Sequence, residues 1–203
     1  MSPRPRVVIA TRNAHKIAEC REILAAAGLD LDLVGVQAFP DVPEVAETGA
    51  TFAENALLKA RVVAEATGLP TVADDSGLCV DALNGMPGVL SARWAGRHGD
   101  DVANMDLVLA QVSEVPDERR GAQFVCAAAL ALPDRREWVV EGVLPGWLER
   151  APRGEGGFGY DPVLRPDGED RTTAEMSARE KNAISHRGRA FRELAPHLRA
   201  LLG

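Results

Sequence analysis

The sequence predicts an α/β protein built on a mixed β-sheet, and three stretches carry that expectation. Arg6–Ala10 is an apolar run that passes through a polar turn into a helical pattern ending near Ala27. A second helical pattern over Thr51–Thr67 leads, after Gly68, straight into the β-branched and apolar run at Thr71. Ala122–Leu132 and Glu137–Leu148 are two apolar runs joined by Pro133-Asp134-Arg135-Arg136, the pattern of an antiparallel hairpin. Strands alternating with helices in one part and a hairpin in another make the sheet neither purely parallel nor purely antiparallel.

In chain order, Ile17, Cys20, Leu24 and Ala27 recur at helical spacing, and Gly28 marks the stop. Leu29–Val36 reads as another strand, and Phe39–Gly49 as a Pro- and acid-rich loop carrying Asp41, Glu44 and Glu47. Thr51-x-x-Glu54 is a capping-box pattern that starts the next helix. Asn84–Gly88 is a loop, a helix begins at Asp100 or Asp101 and runs to about Val112, and Pro116–Arg120 is a charged turn. Ser177-x-x-Glu180 is a second capping box for a helix carrying Lys181. That helix is interrupted at Ser185–Gly188, and Arg189–Leu202 forms the last one, with Pro196 near its middle.

The chain of 203 residues fits one domain of two closely joined lobes without a linker, residues 1–203 together. An apolar content of 46% suffices for a core of that size. A net charge of −7 argues against a nucleic-acid-binding surface, which needs a basic face, but leaves room for a small phosphorylated ligand met by local positive charge or a metal. Cys20, Cys79 and Cys126 are widely spaced in apolar surroundings and read as reduced core residues. The N-terminus shows no signal-peptide pattern, and the longest apolar run, Phe124–Leu132, is too short to span a bilayer, so a cytoplasmic protein with no membrane association is expected. Of 23 basic residues only Lys16, Lys59 and Lys181 are Lys. A chain that otherwise uses Arg places a compact ammonium at three points, each inside a segment with chemical character.

Three of these segments stand out. Thr71–Leu78 reads TVADDSGL. Asp is disfavoured within strands, so Asp74 and Asp75 are expected where the strand ends and opens into a cleft. Adjacent carboxylates repel unless a proton or cation relieves them, and Mg²⁺, which takes oxygen ligands, suits them; a solvated Asp-Asp-Ser-Gly turn is the other reading of this stretch alone. The turn Thr11-Arg12-Asn13-Ala14-His15-Lys16 lies between a strand and a helix N-terminus, where backbone N–H groups, the helix dipole and Lys16 would receive an anion; an ordinary capped strand-to-helix turn is the other reading of this stretch alone. Asn55 and Lys59 share a helical face turned toward the same cleft. Gly154–Pro162 sets Phe158, Gly159, Tyr160 and Asp161 in a glycine-rich loop where a backbone comes close to a ligand and Phe158 suits stacking on a purine. The four histidines show no spacing typical of a metal cluster.

Taken together, T-x-N-x-x-K at Thr11–Lys16, E-T-G-x-T-F-x-E-N-A-x-x-K-A at Glu47–Ala60, A-D-D-S-G-L at Ala73–Leu78, G-G-F-G-Y-D-P at Gly156–Pro162 and E-K-N-A-I-S-H-R-G at Glu180–Gly188 resemble the inosine/xanthosine triphosphate pyrophosphatase family. The motifs occur in family order, span nearly the whole chain and contain all three lysines. The resemblance implies an elongated mixed sheet with flanking helices, forming two lobes around an active-site cleft, in a homodimer. It implies hydrolysis of ITP, dITP and XTP to the monophosphate and pyrophosphate, a house-cleaning reaction on the nucleotide pool. Asp75 would be the general base for a Mg-bound water attacking the α-phosphate, and Glu47, Asp75 and Asp74 would surround the metal. Thr11, Arg12, Asn13, Ala14, His15, Lys16, Asn55, Lys59 and Ser76 would line the phosphate end. Phe158 would stack on the base within Gly159-Tyr160-Asp161, with Lys181, His186 and Arg187 around its edge, Arg187 aimed at the 6-keto oxygen. Arg12 and His15 stand where family members often carry small residues, and Ala46 where an additional Glu is common. A pyrophosphatase for modified pyrimidine nucleotides and a catalytically silent nucleotide sensor are the competing readings; the Gly-Gly-Phe-Gly-Tyr-Asp and Ser-His-Arg segments oppose the first, and the intact carboxylates Glu47, Asp74 and Asp75 oppose the second.

Overall fold

A computed structural model describes residues 4–201. Six strands and five α-helices follow one another as β1 (Arg6–Ile9), α1 (Ala14–Ala26), β2 (Asp32–Gly35), α2 (Phe52–Thr67), β3 (Thr71–Val80), α3 (Asp101–Gln111), β4 (Gly121–Ala131), β5 (Glu137–Leu148), β6 (Leu164–Pro166), α4 (Ala178–Ile184) and α5 (His186–Arg199). The strands form one sheet in the order β2-β1-β3-β4-β5-β6. β1 runs parallel to β2 and β3, while β5 and β6 are antiparallel. β4 and β5 are neighbours joined by five residues, too few for a parallel crossover, and Leu132 N donates to Arg136 O at 2.9 Å to close their hairpin. The sheet is mixed, as expected.

Two compact units divide the chain, with the dividing points inside β3, β4, β5 and the start of α5. The first comprises residues 1–75, 126–142 and 187–203, the second residues 76–125 and 143–186. In the first, α1 and α5 bury Ile17, Cys20, Leu24, Phe191, Leu194 and Leu198 with Val7, Ile9, Val72 and Leu130 of the strands. In the second, Met105, Val108 and Val112 of α3 and its C-terminal residue pack with Leu78, Val80, Phe124, Leu144, Tyr160 and Leu164. Each core repeats the pairing of one apolar helical stripe with alternate strand residues.

Helix ends follow the sequence signals. Thr51 caps α2 by accepting from Glu54 N at 3.1 Å, and Gly68 closes it in the left-handed region at φ 66°. Asp100 caps α3, and the Ser177–Glu180 box caps α4 from both sides. The strand expected over Leu29–Val36 is confined to Asp32–Gly35. The break before the last helix is also shorter than expected. Ser185 alone is extended, and the helix resumes at His186, so His186, Arg187 and Gly188 belong to its first turn.

β3 does not end at its carboxylates. It continues through Asp74-Asp75-Ser76-Gly77 to Val80, and both aspartates are buried. A strand tolerates two buried carboxylates only if cations come to them from elsewhere. They do.

Candidate active site

In the first unit, cations arrive from three helices. Lys16 sits in the first turn of α1, and its Nζ lies 3.0 Å from Asp74 Oδ2. Arg187, in the first turn of α5, donates from Nε at 3.2 Å and from a terminal nitrogen at 3.0 Å to the same oxygen, and pairs with Glu19 of α1. Burial alone would push the Asp74 carboxyl up. Lys16 and Arg187 outweigh it and hold Asp74 ionised well below the usual carboxylate range. Burial likewise opposes the Arg187 guanidinium, and Asp74 and Glu19 override it.

Asp75 is placed differently. Lys59 of α2 donates to Glu47 Oε1 at 2.6 Å and to Asp75 Oδ1 at 3.3 Å, so one ammonium bridges two carboxylates. Asn55, one turn earlier on α2, donates to Asp75 Oδ2 at 3.1 Å and accepts from Gly49 N at 2.7 Å, which anchors the Glu47 loop beside Asp75. A Cβ at Gly49 would stand 2.8 Å from that Asn55 oxygen, so the loop approaches closely only as glycine. Burial raises the Asp75 pKa, Lys59 opposes it and Glu47 adds to it; the net direction is up. Neighbouring residues of one strand are thereby driven apart, Asp74 below and Asp75 above the usual carboxylate value. Such divergence makes the pair a candidate acid–base site.

The turn before α1 differs from expectation. Asn13 Oδ1 accepts from His15 N at 2.9 Å and Lys16 N at 3.3 Å, and Thr11 Oγ1 accepts from Asn13 N at 3.2 Å. Amides expected to face an anion are thus capped by the turn's own side chains, and Lys16 Nζ with the helix dipole supplies the positive end. Arg12 reaches the Val42 carbonyl at 3.4 Å, and Ala14 and His15 are exposed. Ser76, the next residue of β3, is half-buried.

In the second unit the glycine loop is organised by Asp161. Its Oδ2 accepts from Phe158 N at 2.8 Å and Lys181 Nζ at 2.6 Å, and its Oδ1 from Thr173 Oγ1 at 2.8 Å. Gly157 has φ 74°, and a Cβ there would overlap the Asp161 carboxylate. Lys181 Nζ stands 5.0 Å from the Phe158 ring centroid, within cation–π range. Asp161, 2% exposed, thereby fixes the Phe158 backbone and the Lys181 ammonium together. Tyr160 is buried in the core with its hydroxyl on the Ser91 carbonyl at 2.8 Å. His186 packs on Phe124 with ring centroids 4.9 Å apart. Arg187, expected at the base edge, has donors on buried Asp74 and half-buried Glu19 in the first unit; charged carboxylates hold a guanidinium more tightly than a neutral keto oxygen would.

Glu19, Thr173 and Asp101, whose Oδ2 accepts from Gly159 N at 2.8 Å, are not singled out by the sequence for these contacts because each reaches a partner 12 or more residues away along the chain. Among the described residues no group of three or more His, Cys, Asp or Glu is arranged to hold a metal, and no helix is long and apolar enough to cross a membrane. The donor chemistry around Asp75 nonetheless suits a hard divalent ion. Glu47 and Asp75 present oxygens that converge on a single cation, Lys59 Nζ.

The sequence profile of the Ham1 family matches residues 7–197. A Streptomyces coelicolor protein described as a dITP/XTP pyrophosphatase is 69% identical over 198 residues, covering 98% of this chain and 99% of that protein. A Mycobacterium tuberculosis protein of the same description is 57% identical over 197 residues, with 97% and 96% covered. The crystal structure of a nucleoside-triphosphatase / dITP/XTP pyrophosphatase from Mycobacterium abscessus is 55% identical with a TM-score of 0.77, covering 94% of this chain and 99% of that one. A HAM1 protein from Coxiella burnetii superposes with a TM-score of 0.86 at 42% identity, with 97% and 99% covered.

Proposed function

We propose, for a chain that belongs to the Ham1 family, hydrolysis of the non-canonical purine nucleoside triphosphates dITP, ITP and XTP to the monophosphate and pyrophosphate. The observation that carries this reading is the opposed environment of two adjacent aspartates, Asp74 clamped by Lys16 and Arg187, and Asp75 bridged through Lys59 to a second carboxylate, Glu47. The names of relatives at 55–69% identity over nearly their whole length support the substrate class.

Asp75 takes the proton of the attacking water as its oxygen bonds to the α-phosphorus. The bond from that phosphorus to the bridging oxygen breaks, and the electron pair leaves on pyrophosphate. Lys16 and Lys59 face the growing charge on the departing oxygens, with the turn at Thr11–Lys16 and Ser76 lining the phosphates. Asn55 keeps Asp75 oriented, and Asp74 with Arg187 keeps Lys16 in place. Glu47 and Asp75, with Asp74 behind them, would hold Mg²⁺, which when bound neutralises phosphate charge. Phe158 is the stacking surface for the purine, and Lys181 beside it is the donor for a keto oxygen. An amino group at the same position would meet a donor with no acceptor, and that mispairing excludes adenine. The reading carries with it a cytoplasmic homodimer, as the family resemblance implies.

Asp75→Asn tests the base assignment. Turnover of dITP should fall below detection, while affinity for the unreacted nucleotide stays within about tenfold, because the substitution changes the proton acceptor and little of the binding surface. Wild-type turnover in that variant would remove Asp75 from the role.

A further inference from the structure

We propose that Asp101, at the start of α3, is a positioning residue for Phe158 and through it for the purine, a role that rests on reading Phe158 as the base platform. The Gly157-Phe158-Gly159 segment has little intrinsic rigidity. Gly157 and Gly159 both have positive φ, 74° and 62°, and a Cβ at Gly159 would meet nothing within 4 Å. With no side chain to anchor it, Gly159 relies on its backbone hydrogen bond for a fixed orientation. Two consecutive amides are met by two carboxylates from separate parts of the second unit. Phe158 N donates to Asp161 Oδ2 and Gly159 N to Asp101 Oδ2, each at 2.8 Å. Asp161 is buried and fixed by Lys181 and Thr173. Asp101 is exposed and reaches the loop across 58 residues of chain.

The two contacts bracket the Cα of Phe158 and set the direction in which its ring projects. The Phe158 carbonyl of the same peptide accepts from Asp161 N at 3.2 Å, which leaves the Gly159 N–H side to be held. Asp101 holds that N–H side, so both ends of the peptide are fixed. The Asp101 contact is charge-assisted, and the adjacent α3 amides are served by Asp100, which accepts from Ala103 N, so Asp101 is not needed as the helix cap. The Tyr160 hydroxyl, pushed up mainly by burial, also feels the Asp101 charge, consistent with a carboxylate held against this loop.

The test compares steady-state turnover of dITP by wild type, Asp101→Ala, Asp101→Asn, Phe158→Ala and the Asp101→Ala/Phe158→Ala double variant. Loss of a partly solvated, charge-assisted hydrogen bond should raise KM about threefold to tenfold in Asp101→Ala, with kcat within about twofold since no reacting atom is touched. Asp101→Asn keeps an oxygen acceptor and should restore KM to near the wild-type value. In the Phe158→Ala background, Asp101→Ala should add nothing further, because the group it positions is gone. An equal KM rise in both backgrounds would overturn the proposal. Amide hydrogen exchange at Gly159 in the substrate-free protein separates the tether from the platform reading. It should accelerate in Asp101→Ala, and unchanged exchange there would overturn the tether while leaving Phe158 as the platform. A KM unmoved by Phe158→Ala would refute the platform reading and the positioning role together.

Discussion

Replacing Arg187 with Met is the sharpest probe of how this fold keeps two carboxylates inside a strand. The Arg187 side chain is 1% exposed, and its partners Asp74 and Glu19 are 0% and 15% exposed. Methionine fills much of the same volume but removes every donor. Leaving a buried charge without its partner costs about 3–5 kcal/mol. The lower end applies, because Lys16 remains 3.0 Å from Asp74 and Glu19 has some access to water. A loss of about 3 kcal/mol in a chain of this size lowers Tm by roughly 6–12 °C. Urea unfolding followed by circular dichroism would measure the free energy, and a thermal scan the Tm. The companion variant Asp74→Leu/Arg187→Met removes both sides of the pair and should recover at least half of the loss, since apolar replacement of a whole buried pair is often neutral. A single-variant loss below about 1 kcal/mol, or a double variant as unstable as the sum of the singles, would refute the view that Arg187 neutralises Asp74.

Two further outcomes follow from burial and capping. Cys20 and Cys126 are buried, with burial pushing Cys126 up to about 12, whereas Cys79 is half-buried; a thiol reagent at pH 8 should label Cys79 alone in the native protein and all three cysteines after denaturation, and rapid native labelling of Cys126 would contradict the packing. Hydrogen bonds from Ser177 hold Glu180 at about 2 instead of the usual 4.5, so its contribution to stability is full above 4.5 and lost as pH falls through about 2. Carboxyl chemical shifts followed by NMR should show that depressed midpoint, moving up toward 4.5 in Ser177→Ala; an unmoved midpoint would place the cause elsewhere.

Much of this architecture is local and therefore legible. The caps at Thr51, Asp100 and Ser177, the stop at Gly68 and the hairpin closed over Leu132–Arg136 are short-range devices whose residues lie within a few positions of one another. Strand propensity failed at Asp74 and Asp75 because what permits them there comes from α1, α2 and α5, far along the chain. The same long-range chemistry engages Arg187 with Asp74 and Glu19. Its motif, Ser-His-Arg-Gly, is visible in the sequence, but the competition of Asp74 and Glu19 for its guanidinium is not. Asn13 shows the converse case. Its capping geometry was available from a strand–turn–helix pattern, yet an anion site and a self-capped turn look alike until the hydrogen bonds are seen. Asp101 gave only a helix-start signal, and Glu19 none beyond a place on α1.

The measurement that bears most directly on the central claim is product analysis with dITP, XTP, ITP, dATP, GTP and TTP, each with Mg²⁺ and with EDTA. The account predicts pyrophosphate and the nucleoside monophosphate in equal amounts, from dITP, XTP and ITP well ahead of the others, and no release in EDTA. Equal rates across the panel, or inorganic phosphate and the diphosphate as first products, would contradict it.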